Sequence, residues 1–192
     1  MKALKAAVFL DRDGVINEDP GYVHLEKDLK LLPDSAKAIS LLNQKGLPVI
    51  VVTNQAGIAY GMYTEDDLHK FQKVLNEKLE KFGAKINAFY YCPHHAEKGK
   101  GKYQINCACR KPKTGMFEQA AKNLNIALKR SFVIGDKWSD VIPGQTLGCK
   151  TIMLKTGHGQ KEAKKPSPSG RQFDYMADNL YQAVIEYILK ER

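Results

Sequence analysis

Ala6-Ala7-Val8-Phe9-Leu10-Asp11-Arg12-Asp13-Gly14 is the stretch from which the rest of the chain can be read. Five apolar residues in a row, Val and Phe among them and polar residues on either side, predict a short buried strand. Gly14 lets the backbone turn sharply where that strand stops. In a parallel α/β sheet, ligands sit just beyond the carboxyl ends of the strands. Asp11 and Asp13 therefore project into the expected crevice. Asp and Gly also favour ordinary turns, so a motif this short needs support from elsewhere in the chain.

Working outward, the flanking pattern repeats strand then helix. Pro48 to Thr53 is a continuous β-branched run of the parallel-sheet kind. Further strands are predicted over 86–91, 131–134 and 150–154. Between them, Pro33-Asp34-Ser35 opens a helix with Ala36, Ala38, Ile39, Leu41 and Leu42 on its apolar faces and Gly46 past its end. Thr64 caps a second helix with an acidic first turn. Its stripe of Leu68, Phe71, Leu75, Leu79 and Phe82 reads as core packing, and Gly83 ends it. Helices are also expected over 115–124 and about 139–147, where Pro143 costs a hydrogen bond unless it lies in the first turn. Asp178 is expected to cap a terminal helix carrying Leu180, Val184 and Ile188. The Pro20-Gly21 turn marks Glu18 to His24 as a small flap, with His24 either a substrate contact or a bonded structural residue. Residues 156–171, rich in Gly, Ser, Pro and Lys, read as a mobile loop. The alternation predicts a doubly wound, mostly parallel sheet of five to six strands. It forms one domain over 1–192, with no large cap domain.

The 192 residues carry a net charge of +9, with 43% hydrophobic and 27% charged residues, the balance of a globular protein able to bury a full core. Met1-Lys2-Ala3-Leu4-Lys5 leads straight to the first strand with no apolar segment of signal-peptide length. No stretch approaches the roughly 20 apolar residues of a membrane span. A cytoplasmic protein is expected, acting without nucleic acid or membrane, and as a monomer. Its scattered lysines favour an anionic small-molecule substrate.

Four polar clusters fall at strand or loop ends: Asp11 with Asp13, Thr53, Arg110 with Lys111, and Asp136 with Asp140. Parallel strands bring such ends to one edge. Facing carboxylates repel unless a cation lies between them, and hard oxygen donors beside a phosphate suit Mg²⁺. A lysine and a hydroxyl complement the phosphoryl oxygens in the transition state. The chemistry indicated is phosphoryl transfer.

Cys92-x-His94 and Cys107-x-Cys109 supply three thiolates and one imidazole, a closed tetrahedral Zn²⁺ site of the structural kind, within a loop of about 92–109. His95 competes with His94 as the fourth ligand. Cys149 stands apart as a buried apolar residue. Closing this loop orients Arg110 and Lys111, which follow it directly.

The motifs Asp11-x-Asp13-Gly14, Thr53, Lys111 and Gly135-Asp136-x-x-x-Asp140, in that order over residues 6 to about 154, resemble the haloacid-dehalogenase superfamily of phosphatases. The resemblance implies that Asp11 is the nucleophile and forms an aspartyl-phosphate, and that Asp13 is the acid and base. Thr53 and Lys111 would hold the phosphoryl group. Asp11, Asp13 (through its carbonyl) and Asp136 would bind Mg²⁺, with Asp140 supporting them. Pro20-Gly21-Tyr22-Val23-His24, Thr53 to Ala59, Tyr90 to His95 and Gly135-Asp136-Lys137 narrow the likeness. They resemble the D-glycero-D-manno-heptose-1,7-bisphosphate 7-phosphatase family, related to the histidinol-phosphate phosphatases. That implies removal of the 7-phosphate in nucleotide-heptose synthesis, for lipopolysaccharide core or glycoprotein. It also implies substrate contacts from Asp11, Arg12, Asp13, Asp19, Pro20, Gly21, Tyr22, Thr53, Asn54, Gln55, Ala56, Arg110, Lys111 and Lys137, with Arg110 on the second phosphate. Tyr60, where the family pattern has arginine, and Trp138 depart from it. Histidinol phosphate is the alternative substrate. A phospho-acceptor signalling domain is the non-enzymatic alternative, and Asp13 argues against it because an acid there speeds hydrolysis.

Overall fold

A computed structural model describes residues 4–191. Met1 to Ala3, part of the predicted lead-in to the first strand, lie outside them. Six strands form one sheet in the order β3-β2-β1-β4-β5-β6, with every neighbouring pair parallel. The strands are β1 (Val8–Leu10), β2 (Val49–Asn54), β3 (Ala88–Cys92), β4 (Phe132–Gly135), β5 (Lys150–Leu154) and β6 (Tyr175–Ala177). Strand order reverses at β1, which lies between β2 and β4, so the switch-point crevice opens beyond its last residue.

Successive residues of a strand face opposite sides of the sheet. Val8 and Leu10 join Val49, Val51, Ile134 and Leu154 against α1 (Ser35–Gln44), α3 (Glu65–Glu80, after the single turn of α2, Ala56–Ala59) and the C-terminal helix. Ala7 and Phe9 join Ile50, Val52 and Val133 on the other face, against Met116, Phe117 and Ala120 of α4 (Gly115–Leu124). Both faces are covered, which is why β1 and β2 read as unbroken apolar runs rather than alternating ones.

Local signals hold with some shifts. Thr64 and Asp67 form a reciprocal capping box. Phe82, expected in the core stripe, is 61% exposed. α3 stops at Glu80 and the chain turns at Gly83, where φ is +66°, so Phe82 has left the helical register. Pro143 lies inside α5 (Trp138–Leu147), beyond its first turn. Asn179, not Asp178, caps the last helix. Its side chain accepts from the Gln182 amide at the start of α7 (Leu180–Gln182), which continues as a π-helical turn to Ile188. Residues 156–171 do not form a loop throughout. Their first half folds onto the crevice through α6 (Gly159–Glu162), because Trp138 buries its ring there and donates its indole N–H to the Glu162 carbonyl at 3.0 Å. No described helix is long and apolar enough to cross a membrane.

Candidate active site

The carboxyl ends of β1, β2 and β4 open into a cleft of ≈460 Å³. Asp11, Asp13, Asp19, Gly21, Tyr22, Thr53, Asn54, Gln55, Ala56, Arg110, Lys111, Lys137 and Asp140 line it. The flap contributes through Asp19 to Tyr22, although Pro20 is exposed and outside the lining. A larger groove of ≈580 Å³ beside α1 is mostly apolar and holds no carboxylate cluster.

Lys111 is the electrostatic centre. Its Nζ donates to Asp11 Oδ1 at 2.9 Å and to the Val52 carbonyl at 2.7 Å, and meets Asp140 Oδ1 at 2.7 Å. Burial alone would discharge it, but Asp11 and Asp140 hold it protonated, above the ordinary lysine range. Burial likewise pushes the Asp11 carboxyl up, and Lys111 followed by Lys137 more than reverses this, so it stays ionised below its usual range. Asn54 fixes the Lys111 main chain from both sides, accepting from its N–H at 3.0 Å and donating to its carbonyl at 3.1 Å. Its amide is therefore committed to placing the lysine. Lys111→Ala is expected to strand Asp11 and Asp140 without their cation. Breaking a buried pair in this way costs about 3–5 kcal/mol. Urea unfolding in chelator should show that loss, with added Mg²⁺ recovering part of it. A variant as stable as the parent would contradict this.

Asp136 is fully buried at the end of β4. Burial, then the charges of Asp11 and Asp140, push its carboxyl up to about 8. Its Oδ2 accepts from the His158 main-chain N–H at 2.7 Å, while Oδ1 has no hydrogen-bond partner. Asp140 has both oxygens engaged, by Lys111 and by the Lys137 N–H at 3.1 Å. Ligand oxygens of Asp11, Asp136 and Asp140 lie within 4.8 Å of one another. An unsatisfied buried carboxylate oxygen inside such a cluster is what a hard divalent cation fits.

Asp13 stands apart from that cluster. Hydrogen-bond donors, not carboxylates, surround its side chain. Arg12 donates to both of its oxygens at 2.8 Å, Asn17 to Oδ1 at 2.9 Å and Gln55 to Oδ2 at 3.2 Å. The Arg12 side chain, expected at the substrate, is fully buried over the Phe71 ring and bonded to the Val23 carbonyl. It cannot reach the cleft. Gln55 also donates to Thr53 Oγ1 and accepts from the Tyr63 hydroxyl. His24 stacks on Tyr63 with centroids 4.6 Å apart and its Nδ1 meets the Tyr22 carbonyl, so it packs the flap instead of lining the cleft.

Cys92, His94, Cys107 and Cys109 bring their donor atoms within 4.8 Å of one another. The three sulfurs stand 2.9 to 3.4 Å apart, and His94 Nδ1 is 3.4 Å from Cys109. This soft donor set suits Zn²⁺. His95 is turned elsewhere, its Nδ1 accepting from the Lys98 N–H and its ring against Tyr60. Cys149 is buried in the apolar cluster beneath α4. The loop reaches the cleft through Arg110, whose Nη1 donates to the His94 carbonyl at 3.0 Å. Tyr60, Tyr63 and Ser139 also line the cleft, and the His158 N–H backs Asp136 from behind. None of these four carries a motif-like signal. Tyr60 was visible only as a departure from the family pattern.

Sheet order and cleft are those of a haloacid-dehalogenase-like hydrolase, and a family model of that description (HAD-hydrolase-like) matches residues 108–183. The D-glycero-beta-D-manno-heptose-1,7-bisphosphate 7-phosphatase of Haemophilus ducreyi is 43% identical over 166 residues, covering 83% of this chain and 91% of that protein. The D-glycero-D-manno-heptose-1,7-bisphosphate 7-phosphatase of Chlorobaculum tepidum is 39% identical over 191 residues, covering 95% of this chain and 94% of that one. The crystal structure of D,D-heptose 1,7-bisphosphate phosphatase from B. bronchiseptica, complexed with magnesium and phosphate, superposes with a TM-score of 0.85 at 30% identity. It covers 97% of this chain and 99% of that chain. The chain belongs to the D-glycero-D-manno-heptose-1,7-bisphosphate 7-phosphatase family.

Proposed function

We propose that this chain is a Mg²⁺-dependent phosphatase that removes the 7-phosphate of D-glycero-D-manno-heptose 1,7-bisphosphate. The observation that carries the reading is the buried Asp11–Lys111–Asp140 array, together with Asp136, which brings a carboxylate oxygen within 4.8 Å of theirs and keeps one oxygen without a hydrogen bond. Full-length relatives that bear this activity in their names support it. Asp11, Asp136 and the Asp13 carbonyl would hold the magnesium, which when bound offsets the charge of phosphate and carboxylate alike.

In this reading an Asp11 oxygen attacks phosphorus and the bond from phosphorus to the C7 oxygen breaks, leaving an aspartyl-phosphate. Asp13 gives a proton to the departing sugar oxygen. It then takes one from the water that attacks the aspartyl-phosphate; the bond from Asp11 to phosphorus breaks, inorganic phosphate is released and Asp11 is regenerated. Arg12, Asn17 and Gln55 hold Asp13 at the cleft wall, well placed for the second role. Thr53 and Lys111 complement the transferring oxygens. Every group in the scheme comes from one chain, so a monomer suffices. The heptose 1-phosphate released would feed nucleotide-heptose synthesis in the cytoplasm.

Arg110, held over the cleft by the His94 carbonyl, is the group for the phosphate that stays on the sugar. Arg110→Ala is expected to lower kcat/KM on the bisphosphate by about 10- to 100-fold, as loss of a charged hydrogen bond implies. An aryl phosphate, which has no second phosphate, should lose far less. Equal losses on both substrates, or turnover of histidinol phosphate ahead of the bisphosphate, would overturn the substrate assignment.

A further inference from the structure

The two oxygens of Asp136 have opposite surroundings. Oδ2 is enclosed by bare backbone on two sides: a Cβ added at Gly157 would come within 2.2 Å of it, and one at Gly14 within 2.5 Å. Both glycines hold left-handed φ, +55° and +81°, which a side chain would strain. The segment that contributes Gly157 is tied at each end. Thr156 Oγ1 donates to the Gly14 carbonyl at 2.7 Å, and the His158 N–H donates to Oδ2 at 2.7 Å. Oδ1 is buried without a hydrogen bond, and the Lys137 ammonium stands 3.9 Å away.

We propose that Thr156-Gly157-His158 is a positioning strap for the divalent cation, in which the bare Cα of Gly157 lets the His158 N–H hold Oδ2 so that Oδ1 turns to the metal. The inference rests on Asp136 being a metal ligand. Gly157 is a positioning residue: it touches no substrate and acts only through the carboxylate it packs on. Outer partners that orient a ligating group are worth about 10- to 100-fold in metal affinity. The strap lies in a region whose composition reads as plain loop, because a threonine, a glycine and a histidine in a row carry no periodicity and no motif.

The test uses the full chain, with Mg²⁺ affinity measured by displacement of Tb³⁺ luminescence and by the Mg²⁺-dependent rise in Tm. Gly157→Ala is expected to weaken Mg²⁺ binding about 10- to 100-fold, with kcat at saturating Mg²⁺ much less affected. Thr156→Val, which unties the strap without backbone strain, should weaken Mg²⁺ binding in the same direction if Gly157→Ala fails to fold. Gly170→Ala imposes similar left-handed strain at φ +70° with no atom near the new Cβ, and should bind Mg²⁺ like the parent. Parental Mg²⁺ affinity in both strap variants, while Asp136→Asn loses binding, would overturn the strap. Parental affinity in Asp136→Asn would overturn the ligand assignment beneath it, and the strap with it.

Discussion

Asp11→Asn is expected to lower kcat on the heptose bisphosphate by more than about 10⁴-fold, the scale on which removing a covalent nucleophile acts. An amide oxygen is a poor nucleophile, and the substitution also removes one negative charge from the pair that Lys111 bridges at 2.9 and 2.7 Å. Asp140 remains to hold the ammonium, so the fold should survive. The thermal transition should stay near that of the parent while phosphate release vanishes. Acid quenching during turnover should trap phosphate on the parental chain and none on the variant. Brisk hydrolysis by a folded Asp11→Asn protein would remove the basis of the mechanism proposed here.

Cys109→Ser is expected to destabilise the chain through loss of its metal. Cys109 sulfur is 2.9 and 3.0 Å from its two cysteine neighbours and 3.4 Å from His94, so its loss opens the whole donor set. Loss of a structural metal removes folding free energy directly. About 4 kcal/mol would lower Tm by roughly 10 °C in a domain of this size. Zinc content should fall from one ion per chain to a small fraction. The loop is also bound elsewhere, by the Lys100 N–H to the Ala59 carbonyl and by the Tyr103 hydroxyl to Glu65, so it should loosen mainly around Arg110. KM for the bisphosphate should rise accordingly, with kcat on an aryl phosphate changed much less. A zinc-free variant with parental Tm and parental KM would show that the cluster neither stabilises the loop nor places Arg110.

The parallel sheet was legible because burial on both faces writes itself into composition: Val49 to Val52 are apolar at every position. Cysteine spacing marked the Cys/His cluster for a similar reason, since donor pairs on tight turns leave a local pattern. Sequence left His94 and His95 open; the structure selects His94, because only its ring points inward from the end of β3. Phe82 shows the limit of periodicity, which continues on paper past the residue where the helix stops. The Thr156–His158 segment shows the limit of composition. Gly157 looks like a loop residue whether or not it is packed against Asp136, a carboxylate 21 positions earlier in the chain.

Residue types and their order were enough to place five of the six strands, the longer helices and the donor groups, because hydrophobic period, caps and metal-ligand spacing act over a few residues. Tertiary contact alone decided what each polar group is committed to. Arg12 turns from the cleft to clasp Asp13, Asn54 grips the Lys111 backbone, and one oxygen of Asp136 accepts a hydrogen bond while the other accepts none. Those allocations depend on which distant backbone arrives beside each side chain, and desolvation and charge then act on groups that sequence separation does not relate.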